Sequence, residues 1–378
     1  MPMNQGDSIR CAHYVSKYLT LTQNWIYRTI INHDRVVPTI LSRKKDNLNL
    51  FPVKNLYSLQ DLSTLRQYAE IAFFRMAGYF YFFDQTCKRN SIQILHIHFG
   101  YQGVKSVGLK KKLKVPMVCS FYGDDAFAYR FENTYTELFN HADKILVLGK
   151  YMKARLVTLG CPEHKLQIHH LGIDIEKLRF VNRRVTKNSP IRFLIASSFL
   201  PKKGIELAIK ALATFAREYD FTLDIIGDGP LKNDILREIE QGGLKERVTL
   251  HGYKPYDYFI NLAYECQVFI QASRTTENND KEGTPMAIVD TMATGMTVVS
   301  TYHSDIPEIV IDGETGYLAR ENDLDSLTAC MRKVFEHPEK IEAFSAAGRR
   351  WIEQEFDAKK QTLRLEGYYA ELLKRDVL

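Results

Sequence analysis

The stretch Glu282-Gly283-Thr284-Pro285-Met286-Ala287-Ile288-Val289-Asp290-Thr291-Met292-Ala293-Thr294-Gly295 reads as a short helix with both ends marked. Thr284 suits an N-cap and Pro285 the first helical position, where its missing N–H costs nothing. Gly295 suits the left-handed residue that closes the helix. Two residues do not fit a plain core helix. Glu282 stands just outside the N-terminus, where unpaired N–H groups and the helix dipole favour anions. Asp290 falls in the i, i+3, i+4, i+7 series Met286, Val289, Asp290, Ala293, among apolar neighbours, where a carboxylate needs a hydrogen-bond donor. The stretch predicts an anion site at its tip and, further along, an acceptor without an evident partner. The plainer reading of the same residues is a capped core helix with Asp290 at the edge of its apolar stripe.

Outward from this helix, short apolar runs alternate with helical patterns. Runs at 191–196, 221–226, 248–250 and 268–271 precede it, and Val298-Val299 starts another. Lys203-Gly204 opens a helical pattern over 205–219, and Gly227-Asp228-Gly229-Pro230 opens the next. Residues 181–190 are polar and basic without periodicity, which predicts a linker. Upstream the alternation appears again, with strands expected at 9–15, 36–41, 92–99, 115–121 and 144–148. Residues 65–88 carry Phe73, Phe74, Tyr79, Phe80, Tyr81, Phe82 and Phe83; they are expected to form a buried helix between strands, membrane contact being the other reading. Alternation repeated twice predicts the α/β class with two doubly wound domains, each around a mostly parallel sheet. Ligands of such sheets bind at the carboxyl ends of strands. His98, Tyr122, Ser197, Gly227, Gly252 and the 274–284 loop all follow expected strand ends, which predicts a cleft between the domains.

Bulk composition narrows the class. The 378 residues are 45% hydrophobic and 25% charged, as in a globular chain long enough for two cores. No uncharged apolar run approaches the roughly 18 residues of a spanning helix, and residues 1–10 lack the apolar core of a secretory leader. The six cysteines are dispersed without a CxxC pair, which predicts reduced thiols and a cytoplasmic setting, not a disulfide framework or a zinc site. Residues 1–180 hold 25 Lys+Arg against 14 Asp+Glu, and residues 181–378 hold 26 against 31, so +11 and −5 give the net +6. A basic first half points to a polyanion or an anionic membrane surface. No nucleic-acid recognition motif accompanies it, and no G-x-G-x-x-G follows a first strand as in a dinucleotide-binding oxidoreductase.

Taken in order, Lys203-Gly204, Gly227-Asp228-Gly229-Pro230, the E-x7-E-like pair Glu282 and Asp290, Gly295 before Val298-Val299-Ser300, Ile306-Pro307-Glu308 and Gly313-Glu314-Thr315-Gly316 resemble the retaining glycosyltransferases of family 4. The 275–280 loop and His96-Ile97-His98-Phe99-Gly100 are similar to enzymes of bacterial exopolysaccharide and O-antigen assembly. The resemblance implies the GT-B fold, two Rossmann-like domains facing each other across a cleft. It implies an acceptor-side domain over 1–182, a donor domain over 183–348, and a C-terminal helix over 349–378 returning to the first domain. It implies Glu282 at the transferred sugar, Gly283, Thr284, Pro285 and Met286 at the donor diphosphate, Asp290 at the ribose and Lys203 at the phosphates. Gly227, Gly229, Gly252 and Tyr253 join the donor site. Three positions depart from the family pattern. Asp290 replaces a longer Glu, Ser198 stands where an arginine is usual, and Tyr122 of Tyr122-Gly123-Asp124-Asp125 stands where a histidine is usual. Tyr122 and Asp124 are expected to contact the sugar, and His98 and Lys17 to lie on the acceptor side.

The activity so implied is transfer of a sugar, with retention, from a nucleotide sugar as co-substrate to a hydroxyl of a glycan, with a polyprenyl-diphosphate-linked acceptor at the inner membrane face. No other cofactor and no metal are expected. A nucleotide-sugar 2-epimerase on the same fold and a non-catalytic glycosyltransferase-like binding module are the alternatives.

Overall fold

The short apolar runs become strands of parallel sheets in the computed structural model, which describes residues 8–20, 23–128, 133–187 and 189–375. Parts of the stretches considered above, residues 1–7, 21–22, 188 and 376–378, lie outside these. The chain divides into two units, Met1–Gly172 with Ala358–Leu378, and Ile173–Asp357.

In the first unit the strands are Ile9–Tyr14 (β1), Lys17–Tyr18 (β2), Val36–Ser42 (β3), Lys44–Lys45 (β4), Leu56–Ser58 (β5), Ile94–His98 (β6), Met117–Ser120 (β7), Lys144–Val147 (β8) and Leu166–Ile168 (β9). Among the described residues, seven of them form a parallel sheet in the order β5-β3-β1-β6-β7-β8-β9, and β2 pairs with β4 beside it. One face of the sheet, with Cys11, Ile94, Val118 and Leu146, packs against Leu365, Tyr369 and Leu372 of the helix Ala358–Arg375. That helix is further fixed through Glu366, whose buried carboxylate accepts from the backbone N–H groups of Asp34 at 2.8 Å and Arg35 at 2.9 Å. The core follows from sequence directly: strands buried on both faces need near-continuous apolar runs.

The second unit holds Ile191–Ala196 (β10), Phe221–Ile226 (β11), Val248–Gly252 (β12), Val268–Gln271 (β13), Thr297–Thr301 (β14) and Gly316–Ala319 (β15). They form a parallel sheet in the order β12-β11-β10-β13-β14-β15. Phe193, Phe215, Phe221 and Phe335 fill one face, and Phe269, Met292 and Phe356 the other.

Three expectations are corrected. The first border lies at 172/173, not 182/183, because the polar-looking segment after residue 172 is threaded onto the second unit. Ile173, Ile175 and Leu178 enter its core. Arg183, only 3% exposed, donates to the carbonyls of Cys266 at 2.8 Å and Ala263 at 2.7 Å. A basic residue that read as linker is therefore a buried clasp. The second border lies at 357/358, because residues 349–355 complete the helix Glu339–Glu355 of the second unit. The expected single helix over 65–88 is two, Thr64–Ala77 and Tyr81–Arg89, parted by Gly78 at φ 76°. The first has no buried residue at all. Aromatic density suggested burial, but the rings of Phe73 and Phe74 contact Tyr79, Phe80 and Tyr81 across the turn and leave the other side of the helix uncovered.

Candidate active site

In the second unit β10 lies between β11 and β13, so the strand order reverses there, and in such sheets the crevice at the carboxyl ends of the strands is the ligand position. Lys203 and Glu282 meet at that edge. The Lys203 ammonium ends the turn Pro201–Lys203 and lies 3.0 Å from Oε2 of Glu282. Gly204, at φ 60°, lets this turn sit against β13: a Cβ there would come within 1.9 Å of the Ala272 carbonyl oxygen. Glu282 is 7% exposed, and its Oε1 is buried without a hydrogen-bond partner. A carboxylate half-satisfied in this way is costly unless a ligand completes it.

Glu282 is held from behind by two residues that sequence reasoning did not single out. Its backbone N–H donates to Nε2 of buried His303 at 3.0 Å, and Nδ1 of His303 lies 2.8 Å from Glu321. Because Nε2 accepts, Nδ1 must carry the proton, and burial lowers the pKa of this imidazole so that it stays neutral. Glu321 also accepts from the backbone of Thr275, tying the 275–285 loop at its start. His303 follows the end of β14, so the strand-end rule that found Gly227 and Gly252 would have found it too.

The helix behind Glu282 is Met286–Thr294. Thr284 is not its N-cap: Pro285 occupies that position, in an extended conformation, and no side chain caps the end. Pro285 cannot donate, so the first turn is left open to an acceptor from outside. Gly283, Thr284 and Met286 are partly exposed there, and Gly295 closes the helix at φ 96° as expected. Asp290 is 6% exposed and accepts from the Tyr256 hydroxyl at 2.9 Å, so the partner that the sequence left unnamed is a tyrosine ten residues upstream of Cys266. Of the other donor-side residues, Gly227 at φ 148° passes so close to the chain after β10 that a Cβ would lie 1.9 Å from the Ser197 carbonyl oxygen. Gly229, at φ 155°, backs onto Phe199 in the same way. Gly252 accepts from the Gly227 N–H at 2.9 Å, while Ser198 and Tyr253 are exposed at the same edge.

The first unit treats its strand-end residues differently. His98 is fully buried, so it cannot itself touch an acceptor in this arrangement. Its Nε2 lies 3.2 Å from Nδ1 of His13 and its Nδ1 lies 2.6 Å from the Tyr122 hydroxyl. Burial pushes the Tyr122 phenol well above its ordinary pKa near 10. Tyr122 packs against Trp25 with the rings tilted by 51° and their centroids 4.2 Å apart, and meets Phe99 edge-on at 5.1 Å. Asp124 is exposed at the start of the helix Asp124–Phe127. Its neighbour Asp125, which sequence reasoning passed over, is the structural member of the pair. Its carboxylate accepts from the N–H groups of Gly100 at 2.8 Å, Tyr122 at 2.9 Å and Gly123 at 3.0 Å. Burial raises its pKa to about 6 in spite of those bonds. Lys17 lies away from this group, paired with Asp46 at 2.7 Å.

His13, His96 and His98 bring one ring nitrogen each within 4.8 Å of one another, a donor set that a metal ion could use. The bonds already present argue against it. Both nitrogens of His96 are engaged, with Tyr369 at 2.5 Å and Ser120 at 2.7 Å. Both of His98 are engaged as well, and only Nε2 of His13 is free of a partner. The cluster fits a neutral hydrogen-bonded relay better than an ion.

Known proteins complete the picture. A family model described as "Glycosyl transferases group 1" matches residues 174–351, and one described as "Glycosyltransferase Family 4" matches residues 65–177. The chain belongs to glycosyltransferase family 4. This member is 30% identical over 271 residues to the amylovoran biosynthesis glycosyltransferase AmsK of Erwinia amylovora, a match covering 70% of this chain and 66% of that protein. It is 31% identical over 270 residues to the colanic acid biosynthesis glycosyltransferase WcaL of Salmonella typhimurium, described as putative, covering 69% and 66%. The match thus spans just under two thirds of the length of these relatives. The crystal structure of HepE from Anabaena, in complex with UDP and glucose, superposes with a TM-score of 0.73 at 15% identity, covering 96% of this chain and 100% of that one. The family 4 chain therefore has the GT-B fold of two Rossmann-like parallel-sheet domains. Among its described residues no helix is long and apolar enough to cross a membrane.

Proposed function

We propose that this protein transfers a sugar from a nucleoside-diphosphate sugar to a hydroxyl of a lipid-linked glycan during bacterial polysaccharide assembly, with retention at the anomeric carbon. The observation that carries the reading is Glu282. Its carboxylate is buried, one oxygen is paired to Lys203 and the other is unpartnered. A carboxylate and an ammonium 3.0 Å apart would suit the two sides of a sugar–phosphate bond. The sugar hydroxyls would donate to Oε1 of Glu282 while Lys203 neutralises the charge that grows on the departing diphosphate. The uncapped N-terminus of Met286–Thr294 supplies further N–H groups to that diphosphate. Asp290, already accepting from Tyr256, would accept from the ribose diol. This charge set asks for no metal, since a cation and a helix end already face the leaving group.

Tyr122, held by His98, stays a neutral phenol and does not serve as a base, because burial keeps it protonated. The names of the relatives, concerned with amylovoran and colanic acid, support exopolysaccharide assembly as the setting. A thermal-shift screen across UDP-, GDP-, ADP- and dTDP-sugars identifies the donor. Incubation of that donor with a membrane lipid extract then reads transfer of labelled sugar. Loss of transfer in Glu282→Ala, with the unfolding profile retained, is the expected result. Wild-type turnover in that variant, or conversion of the donor to its 2-epimer without acceptor, would overturn the proposal.

A further inference from the structure

The sequence Ser42-Arg43-Lys44-Lys45 and the helix Thr64–Ala77 are not used by the site described above, yet they enclose the most unusual surface of the first unit. A groove of about 530 Å³ runs between Lys17, Arg43, Lys44 and Lys45 on one side and Gln67 and Ile71 of the helix on the other. A second cavity of about 200 Å³ continues from it, sharing Arg43 and Ile71, and is lined by Tyr14, Phe74, Phe80 and Tyr101. The first compartment holds four cations and the single carboxylate of Asp46. Lys17 and Lys45 are partly neutralised by Asp46 at 2.7 Å and Asp61 at 2.6 Å. Arg43 and Lys44 have no acidic partner among the described residues. Their backbone N–H groups both donate to the Ser16 carbonyl, at 2.9 and 3.1 Å, which fixes the basic turn while its side chains stay exposed. The second compartment is lined by the apolar bodies of Tyr14, Ile71, Phe74, Phe80 and Tyr101 together with Arg43, Arg75 and Lys105.

A basic compartment beside one that adds five aromatic and aliphatic side chains to its cations matches a ligand with an anionic head and a hydrocarbon tail. The helix above them adds a second observation. Leu65, Tyr68 and Met76 are 80%, 68% and 81% exposed, and they fall on one face at i, i+3 and i+11. The opposite face, through Gln67, Ile71 and Phe74, lines the cavities. An element apolar on both sides, with nothing buried, is suited to the surface of a bilayer from which a lipid could enter the groove.

We propose that this groove binds the isoprenoid diphosphate portion of a lipid-linked acceptor, the diphosphate against Arg43 and Lys44 and the first isoprene units against Ile71, Phe74 and Phe80. The choice of an isoprenoid diphosphate over another anionic amphiphile rests on the acceptor reading under Proposed function; the two-part groove does not. Arg43 sits at the junction, its guanidinium carbon 5.9 Å from the Phe80 ring centroid, so one side chain would meet both parts of the ligand.

The test uses the full chain and farnesyl diphosphate, titrated calorimetrically beside pyrophosphate and farnesol. Farnesyl diphosphate is expected to bind at least roughly 10-fold more tightly than either part alone, since both compartments must be filled. Arg43→Glu and Phe74→Ser should each weaken it about 10-fold or more; both positions lie outside the fully buried core, and unchanged thermal unfolding confirms the fold of each variant. Lys203→Ala should leave it unchanged. Equal affinity for pyrophosphate, loss of binding in Lys203→Ala, or indifference to both Arg43→Glu and Phe74→Ser would each overturn the inference. None of these readings involves sugar transfer, so failure here leaves the Glu282 test standing, and an inactive Glu282→Ala that still binds farnesyl diphosphate leaves the groove standing.

Discussion

In the second unit the polar residues at the carboxyl edge of the sheet sit on loops, carry charge, and leave Oε1 of Glu282 without a protein partner. In the first unit the corresponding edge turns inward: His13, His96 and His98 are buried and bonded to one another or to Tyr122, Ser120 and Tyr369. The same parallel architecture thus presents an incomplete charged site in one unit and a neutral hydrogen-bonded network in the other. The difference teaches where binding energy is stored. An unsatisfied carboxylate oxygen is an interaction available to a ligand, whereas a neutral network engaged at every ring nitrogen but Nε2 of His13 fixes the shape of what a ligand meets.

The largest expected effect tests the incomplete site. Glu282→Ala should lower kcat roughly 10^4-fold, about 5 kcal/mol, while leaving thermal unfolding near wild type, because removing a half-satisfied buried carboxylate relieves as much as it loses. A variant that loses its fold instead would make Glu282 a structural residue like Asp125. Next comes acid sensitivity. Burial lowers the pKa of His13, His96 and His98, with neighbouring imidazoles adding to the shift. The groups facing them are His33 with its partner Glu366, His169, Tyr122 and Tyr369. Native imidazoles that stay neutral bind fewer protons than unfolded ones, whose pKa is near 6.5, so stability falls as pH drops below that value. Stability of the first unit should therefore fall steadily as the pH is lowered from about 7.5 to about 5.5. The chain holds two tryptophans, Trp25 in the first unit and Trp351 in the second. Single-tryptophan variants in denaturant therefore read the units apart, and the Trp25 transition should move with acid more than that of Trp351. Coincident shifts would erase the contrast drawn here.

Two smaller effects sharpen it. Lys203→Ala should weaken the nucleotide-sugar Kd about 10- to 30-fold, roughly 1.4–2 kcal/mol, by removing a cation from the diphosphate. An unchanged Kd by calorimetry would detach Lys203 from the donor. Tyr256→Phe should change nucleotide affinity about three-fold, under 1 kcal/mol, since it deletes one uncharged donor to Asp290 and leaves the carboxylate in place. A loss larger than that of Lys203→Ala would mean that Tyr256 contacts the nucleotide itself.

The same contrast explains what sequence could and could not show. Strand runs such as 191–196 and 221–226 were legible to the residue, because burial on both faces leaves an uninterrupted apolar signature. The positions of Gly227 and Gly252 were legible because turns at strand ends demand particular residues, and Gly227 cannot carry a Cβ where it stands; Glu282 was legible from the helix tip, and Lys203 through the family resemblance. Glu321 was not, since its role lies in a contact to Thr275, 46 residues away along the chain; the place of His303 past a strand end was legible, but its hold on Glu282, 21 residues away, was not. Arg183 misled because charge reads as solvent exposure, and carbonyls that satisfy a guanidinium leave no mark in local sequence. The helix Thr64–Ala77 misled in the opposite direction, apolar and yet uncovered.

The path of the last helix has a consequence for how the protein is made. Ala358–Arg375 belongs to the first unit, but it is synthesised only after the whole of Ile173–Asp357. Until it emerges from the ribosome, the side of the first sheet that carries Cys11, Ile94 and Leu146 lacks Leu365, Tyr369 and Leu372, and the N–H groups of Asp34 and Arg35 lack Glu366. The second unit is continuous in sequence and can close first, so the usual order in which the N-terminal domain folds ahead of its neighbour is inverted. Truncation after residue 357 would therefore strand a complete second unit beside a first unit with an open apolar face, the state in which a chaperone would be expected to hold it.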